Sequence, residues 1–211
     1  GDEAVLAPVV ELARVAHQTD DTSTMRREAL RLRLEELYRQ YDHRFVTPDP
    51  LEFVRAQATD ADREVVGLVA AGLAFGTVAQ IKASIAKVLL ALGPCPAEAV
   101  EALEPRALAA RLSAFRHRWV DGRDVACLLF LAKQMRASHG TVEAFFAEGL
   151  SPGDADVGQA LASFSARALA LDHGGLYRGL RLPKDAGVRY FFPSPEAGSA
   201  CKRLNLYLRW M

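Results

Sequence analysis

Apolar residues recur with helical spacing along most of this chain, and polar or proline-bounded breaks divide the pattern into segments. Val5, Leu6, Val9, Leu12 and Val15 predict a helix over 3–16, followed by a polar stretch from His17 to Thr24. Over 25–41, Leu30, Leu34, Leu37, Tyr38 and Tyr41 share one face, and arginines and glutamates fill the other. Residues 42–50 read as a loop in which Asp49 caps a short helix and Pro50 takes its first position. Thr59 or Asp60 then caps the segment E-V-V-G-L-V-A-A-G-L-A-F-G. Gly67, Ala70, Ala71, Gly72 and Ala74 let neighbours come close, so this is the predicted central helix, ending at Gly76. Thr77 starts another, with Ile81, Ile85, Val88, Leu89 and Leu92 inward.

The second half continues in the same way. Short helices are predicted over 97–102 and 105–112. Asp121 caps a long one over 122–138, which Gly140 ends, and Thr141 opens a short one carrying Phe145 and Phe146. A further helix is expected over 154–171. Residues 172–192 are irregular, with five of them glycine or proline: Gly174, Gly175, Gly179, Pro183 and Gly187. After two prolines, Gly198 and Ser199 open a last helix, where Leu204, Tyr207, Leu208 and Met211 form one stripe. The predicted class is all-α, a multi-helix bundle. Residues 1–24 are read as an extension or flexible segment, with Met25 a possible native start, and 25–211 as the helical domain.

Composition narrows the function classes. With 211 residues, 50% of them apolar and 25% charged, the chain can bury a core without metal or disulfides. The formal net charge is +0, so no global field draws it onto nucleic acid. The local balance from Leu176 to Met211 differs: Arg178, Arg181, Lys184, Arg189, Lys202, Arg203 and Arg209 face only Asp185 and Glu196. Cys95, Cys127 and Cys201 are dispersed, which points to buried thiols in a reducing, cytoplasmic setting. No cofactor or metal is expected, and no stretch reads as a signal peptide or membrane span. There is no H-E-x-x-H, P-loop or G-x-S-x-G motif.

Three stretches carry candidate chemistry. Lys202 and Arg203 stand in the first turn of the last helix, where the macrodipole disfavours a cation. Either a negative partner such as phosphate holds them, or the amine is set up for chemistry, or they are the solvated start of a core helix. The turn A-F-G-T-V-A-Q offers Phe75, Thr77 and Gln80, an aromatic for stacking and an amide for hydrogen bonding to a flipped base. A capping glycine beside a core phenylalanine is the competing reading. In F-R-H-R-W, Arg116 and Arg118 between aromatics suit phosphate contact, whereas His117 reads as a surface histidine. Arginines among Tyr177, Tyr190, Phe191 and Phe192 suit unstacked nucleic acid, or a loop whose rings anchor it to the core.

The closing segment, P-S-P-E-A-G-S-A-C-K-R-L-N-L-Y-L-R-W-M, resembles the end motif of a bacterial family catalogued as a domain of unknown function. More distantly, G-S-A-C-K resembles the G-x-G-x-K hairpin of helix-hairpin-helix DNA glycosylases of the endonuclease III type. Gly198 stands at the first glycine, Lys202 at the lysine, and Ala200 replaces the second glycine. That resemblance implies a fold of the glycosylase type, truncated at its C-terminus, and a DNA partner in the first place, with RNA as the second candidate. It implies that Gly198, Ser199, Ala200 and Arg203 grip phosphate. It further implies that Lys202 is the amine nucleophile of a base-excision glycosylase and lyase. An aspartate is expected beyond Met211, so the chain reads as a fragment, inactive alone, with a poorly packed last helix. Two other classes compete: a non-catalytic nucleic-acid-binding module, and a helical interaction protein without activity.

Overall fold

Threonine and aspartate caps set where most of the long helices begin. The computed structural model describes residues 23–40 and 46–211, and the helix expected over 3–16 lies outside them. The chain divides into two units, Gly1–Val46 and Thr47–Met211. In the first, residues 23–40 form helix α1, with ion pairs Arg31–Glu28 and Arg39–Glu36 along its length.

The second unit is built on two buried helices. Helix α2 (Leu51–Arg55) follows Pro50, with Asp49 accepting from the Leu51 N–H at 2.8 Å. Helix α3 (Asp60–Gly72) is capped by Thr59, and its residues from Glu64 to Gly72 are all buried. Helix α4 (Val78–Leu92) is capped by Thr77, and short helices α5 (Pro96–Ala102) and α6 (Pro105–Arg111) each start on a proline. Helix α7 (Gly122–His139) begins in a reciprocal capping box between Asp121 and Asp124 and ends at Gly140, whose φ is 83°. Helix α8 (Val142–Ala147) is capped by Thr141. Helix α9 (Gly158–Ala170), 3-10 turns at Gly187–Phe191 and Pro195–Ala197, and helix α10 (Lys202–Trp210) complete it. Helix α3 packs against α2, α4, α5, α7 and α10, and α7 against α6 and α8. Burying Val65, Val66, Val69, Leu128, Leu129 and Leu131 there contributes about 1.5–3 kcal/mol per side chain.

The mostly helical architecture agrees with the predicted class, with one addition. Strands β1 (Arg116–His117) and β2 (Val120–Asp121) pair antiparallel, Arg116 opposite Asp121 and His117 opposite Val120. From Phe115 to Arg118 burial alternates in and out, a period of two where no helix forms.

Several boundaries move. Helix α3 stops at Gly72 rather than Gly76: the Phe75 N–H turns back to the Leu73 carbonyl at 2.7 Å, which leaves the helical hydrogen-bond pattern. Helix α9 starts at Gly158 rather than 154: Asp154 accepts from the Ser151 N–H and Asp156 from the Gly158 N–H, local bonds that compete with the helix. Helix α10 starts at Lys202, after left-handed residues Gly198 and Cys201. It is well seated, contrary to expectation. Leu204 and Tyr207 are buried, and a Cβ on Gly67 would come within 2.8 Å of Met211 Sδ and 3.2 Å of Tyr207 Cε2. Of the three cysteines, Cys127 and Cys201 are buried as expected, but Cys95 is exposed. Burial pushes the Cys127 thiol up to about 12, which keeps it an inert packing group. Among the described residues no single helix is long and apolar enough to cross a membrane. Nor do any three of their His, Cys, Asp or Glu side chains form a metal-binding group.

Candidate nucleic-acid interface

Four separate stretches meet at one aromatic cluster: the α3–α4 turn, the β1–β2 hairpin, the Gly187–Phe191 turn and the start of α10. Phe75 is at its centre. Its ring stacks on Trp119 at 4.8 Å and meets His117 at 4.5 Å and Tyr190 at 5.1 Å edge-on. Trp119 and Tyr190 are themselves perpendicular at 5.1 Å. Such pairs add about 0.5–1.5 kcal/mol each beyond area burial. Arg203 closes the cluster from α10: its guanidinium lies 3.6 Å over the Tyr190 ring and 5.7 Å over Phe75, and donates to the Tyr190 carbonyl at 2.7 Å.

His117 locks the turn to the hairpin, and it is buried at 3% exposure, not the surface histidine expected. The Phe75 carbonyl can only accept, so Nε2 carries the proton and donates to it at 2.9 Å. Nδ1 then accepts from the Ser84 hydroxyl at 2.8 Å. Burial pushes the imidazole below its ordinary 6.5, opposed by the Phe75 carbonyl and reinforced by the charge of Arg118. The unfolded chain therefore takes up this proton first as the pH falls. The stability that neutral His117 contributes is complete above about pH 6.5 and is lost as pH drops from there toward the folded value. In an NMR titration the His117 ring protons are expected to have a midpoint below 6.5; an ordinary midpoint would refute the buried, neutral assignment.

Two backbone positions are strained here. Among the described residues, the non-glycine residues with positive φ are Arg118, at 54°, and Cys201, at 48°. Arg118 and Trp119 form the two-residue loop of the hairpin, where glycine or asparagine usually supplies that conformation. Cys201 is the N-cap of α10 and offers no side-chain cap; its thiol instead donates to the Pro193 carbonyl at 3.3 Å. Strained residues persist where surrounding structure holds them, and they concentrate at functional sites.

The residues expected at the site are only partly brought together. Phe75 and Arg203 are in the cluster, and Arg118 lies over Trp119 at 5.3 Å. A Cβ on Gly76 would come within 3.3 Å of Gln80 Oε1 and 3.7 Å of Arg118 Nη1, so Gln80 borders it too. Thr77 uses its hydroxyl to cap α4. Both rings and cations already surround Phe75, so the outward-facing aromatic is Trp119, at 51% exposure. Arg116 projects elsewhere, into an open groove with Ser113, Asp121 and Arg123. Gly198, Ser199 and Ala200 form the exposed loop before α10. Positive φ falls at Gly198 and Cys201, so Ala200 is not asked to adopt it. The Ser199 hydroxyl accepts from the Cys201 N–H, and the Ala200 carbonyl from the Asn205 amide. Lys202 is exposed at the first position of α10.

Trp119 and Tyr190 are the residues that sequence reasoning did not join to Phe75. Each sits in a stretch already marked for its aromatics, but nothing local says that stretches so far apart in the chain meet.

Charge completes the picture. Arg136, Arg167 and Lys82 are paired with Glu64, Glu148 and Glu52. Among the described residues, Arg118, Lys202 and Arg203 have no carboxylate partner, and Arg203 Nε is buried without an acceptor. Fold and cluster together define a mostly helical protein with unpaired cations set over aromatic rings on one surface. The chain belongs to the family described as "Protein of unknown function (DUF2400)", whose model matches residues 49–211. Membership of a family of unknown function, expected from the closing segment, therefore holds. No curated protein and no solved structure matches the chain.

Proposed function

We infer that this protein binds nucleic acid, DNA of the repair type in the first instance, through the hairpin tip and the start of α10. The observation that carries this is the pair of strained residues, Arg118 in the hairpin and Cys201 at the start of α10, in the two elements that bring Arg118 and Arg203 over the aromatic rings, where neither cation has a carboxylate partner among the described residues. A left-handed arginine is costly where glycine would serve, which makes sense if the guanidinium is needed there. Phosphates supply the missing counter-charge. The first-turn N–H groups of α10 add donors, since a helix leaves its first four without intrahelical acceptors. The half-exposed Trp119 gives a base a face to stack on. A reducing, cytoplasmic setting suits the three unpaired thiols.

Lys202 enters this reading as a phosphate contact, because its side chain is exposed. The glycosylase and lyase reading gives it a second role, attack of its amine on the deoxyribose C1′ with loss of the base and formation of a Schiff base.

The two roles separate experimentally. In fluorescence anisotropy with a labelled oligonucleotide, Lys202→Ala and Arg118→Gly are each expected to weaken binding and to lower the slope of log affinity on log salt by about 1. Arg118→Gly also relieves the backbone, so its unfolding free energy should rise by up to about 1 kcal/mol while affinity falls. Unchanged affinity at low salt in both variants overturns the reading. Borohydride trapping on abasic DNA, lost in Lys202→Ala, assigns catalysis.

A further inference from the structure

Between Tyr177 and Leu182 the chain leaves the core and returns to it. At one foot, Tyr177 is buried; its hydroxyl donates to the Asp124 carboxylate at 2.5 Å and accepts from the Val188 N–H at 3.3 Å. The Arg123 guanidinium lies 4.8 Å over that ring. At the other foot Leu182 is buried, and Arg189 donates to its carbonyl at 2.9 Å and to that of Pro183 at 2.7 Å. The four residues between the feet, Arg178, Gly179, Leu180 and Arg181, are all exposed. Gly179, with φ 88°, turns the tip, and Leu180 is 101% exposed.

A solitary exposed leucine is ordinary on a protein surface. This one is held away from the core by a short loop clamped at both ends. Arginines flank it, and neither has a carboxylate partner among the described residues.

We propose that Leu180 is a wedge that enters the base stack of a duplex at a weakened step, such as an abasic site, with Arg178 and Arg181 on the neighbouring phosphates. This rests on the nucleic-acid-binding reading above and names its substrate class. Apolar side chains that enter between base steps replace lost stacking, and the cost of unstacking is least where a base is already missing or mismatched. The arginines supply the sequence-independent attraction to the backbone. A lipid surface fits less well, because one leucine offers little apolar area and stable membrane binding needs more than one such signal. Position agrees: Arg189 clamps the loop, and its neighbour Tyr190 belongs to the aromatic cluster and accepts from Arg203. The wedge and the start of α10 are thus tied to the same 3-10 turn.

Substitution at Leu180 disturbs no packing, so folding does not confound the test. The full chain is titrated against a duplex carrying 2-aminopurine beside a tetrahydrofuran abasic analogue, against the matched duplex, and against phosphatidylserine-containing vesicles. Wild type is expected to prefer the abasic duplex by about ten-fold and to raise 2-aminopurine fluorescence. Leu180→Ala should lose both while keeping its affinity for matched duplex, and Leu180→Phe should retain them. Arg178→Ala and Arg181→Ala should weaken both duplexes equally. A preference that survives in Leu180→Ala overturns the wedge, as does Leu180-dependent binding to vesicles alone. Wild type that binds neither duplex overturns the nucleic-acid reading as well; binding without preference or Leu180 dependence overturns the wedge only.

Discussion

Replacing Glu64 by alanine is expected to lower the unfolding free energy by about 3–5 kcal/mol, because it leaves a charge stranded in the interior. The Glu64 side chain is 7% exposed and Arg136, on α7, is 12% exposed; they meet at 2.7 Å. The other Glu64 oxygen accepts from the Glu143 N–H at 2.9 Å, so one carboxylate joins α3, α7 and the start of α8. Burial opposes the charge on Arg136, and hydrogen bonds and attraction from Glu101 and Glu64 outweigh it, holding the guanidinium above its ordinary range. Without Glu64, Arg136 keeps only Glu101, which is 55% exposed and bonded at 3.0 Å. Glu64→Gln still offers an oxygen to the Glu143 N–H and should lose less. Glu101→Ala removes an outer, solvent-screened partner and should cost about 1 kcal/mol or less. Urea unfolding of the three variants checks the order. A Glu64→Ala variant as stable as Glu101→Ala would show that the buried pair contributes nothing specific.

Gly122→Ala should cost about 3 kcal/mol, at the upper end of what overpacking usually does. A Cβ there would lie 1.8 Å from the Leu112 carbonyl oxygen and 2.6 Å from its carbon. Both are backbone atoms, so no rotamer change relieves the clash; the end of α6 and the start of α7 must separate. Gly122 directly follows strand β2 and the capping residue Asp121, so the same shift disturbs the hairpin that carries Arg118 and Trp119. On the proposed nucleic-acid-binding reading, DNA affinity should therefore fall together with thermal stability. Gly140→Ala is the control: its φ is 83° but nothing lies within 4 Å of the added carbon, so only local backbone strain remains, about 1 kcal/mol. Equal melting temperatures for the two variants would contradict the close approach at Gly122.

The local grammar of this chain is readable without coordinates. Thr59, Thr77, Asp121 and Thr141 cap the helices expected of them, and Gly140 ends α7. Each is a bond between residues three or four apart, which composition and order alone specify. The inward face of α4, with Ile81, Ile85, Val88 and Leu92 buried, follows for the same reason. Where the boundaries moved, local bonds had competed: Asp154 and Asp156 hold the chain out of helix before α9.

Sequence by itself determined the mostly helical class, the small-residue central helix and the cationic start of α10, since periodicity and side-chain chemistry are properties of short windows. It also carried the family resemblance in residues 193–211. Only the tertiary structure decided that His117 is buried between Ser84 and Phe75, partners 33 and 42 residues away in the chain. The same holds for the meeting of Trp119 and Tyr190 on one ring, and for the clamped feet that leave Leu180 outside. These depend on which surfaces exclude water together, a collective outcome of packing that no single stretch encodes.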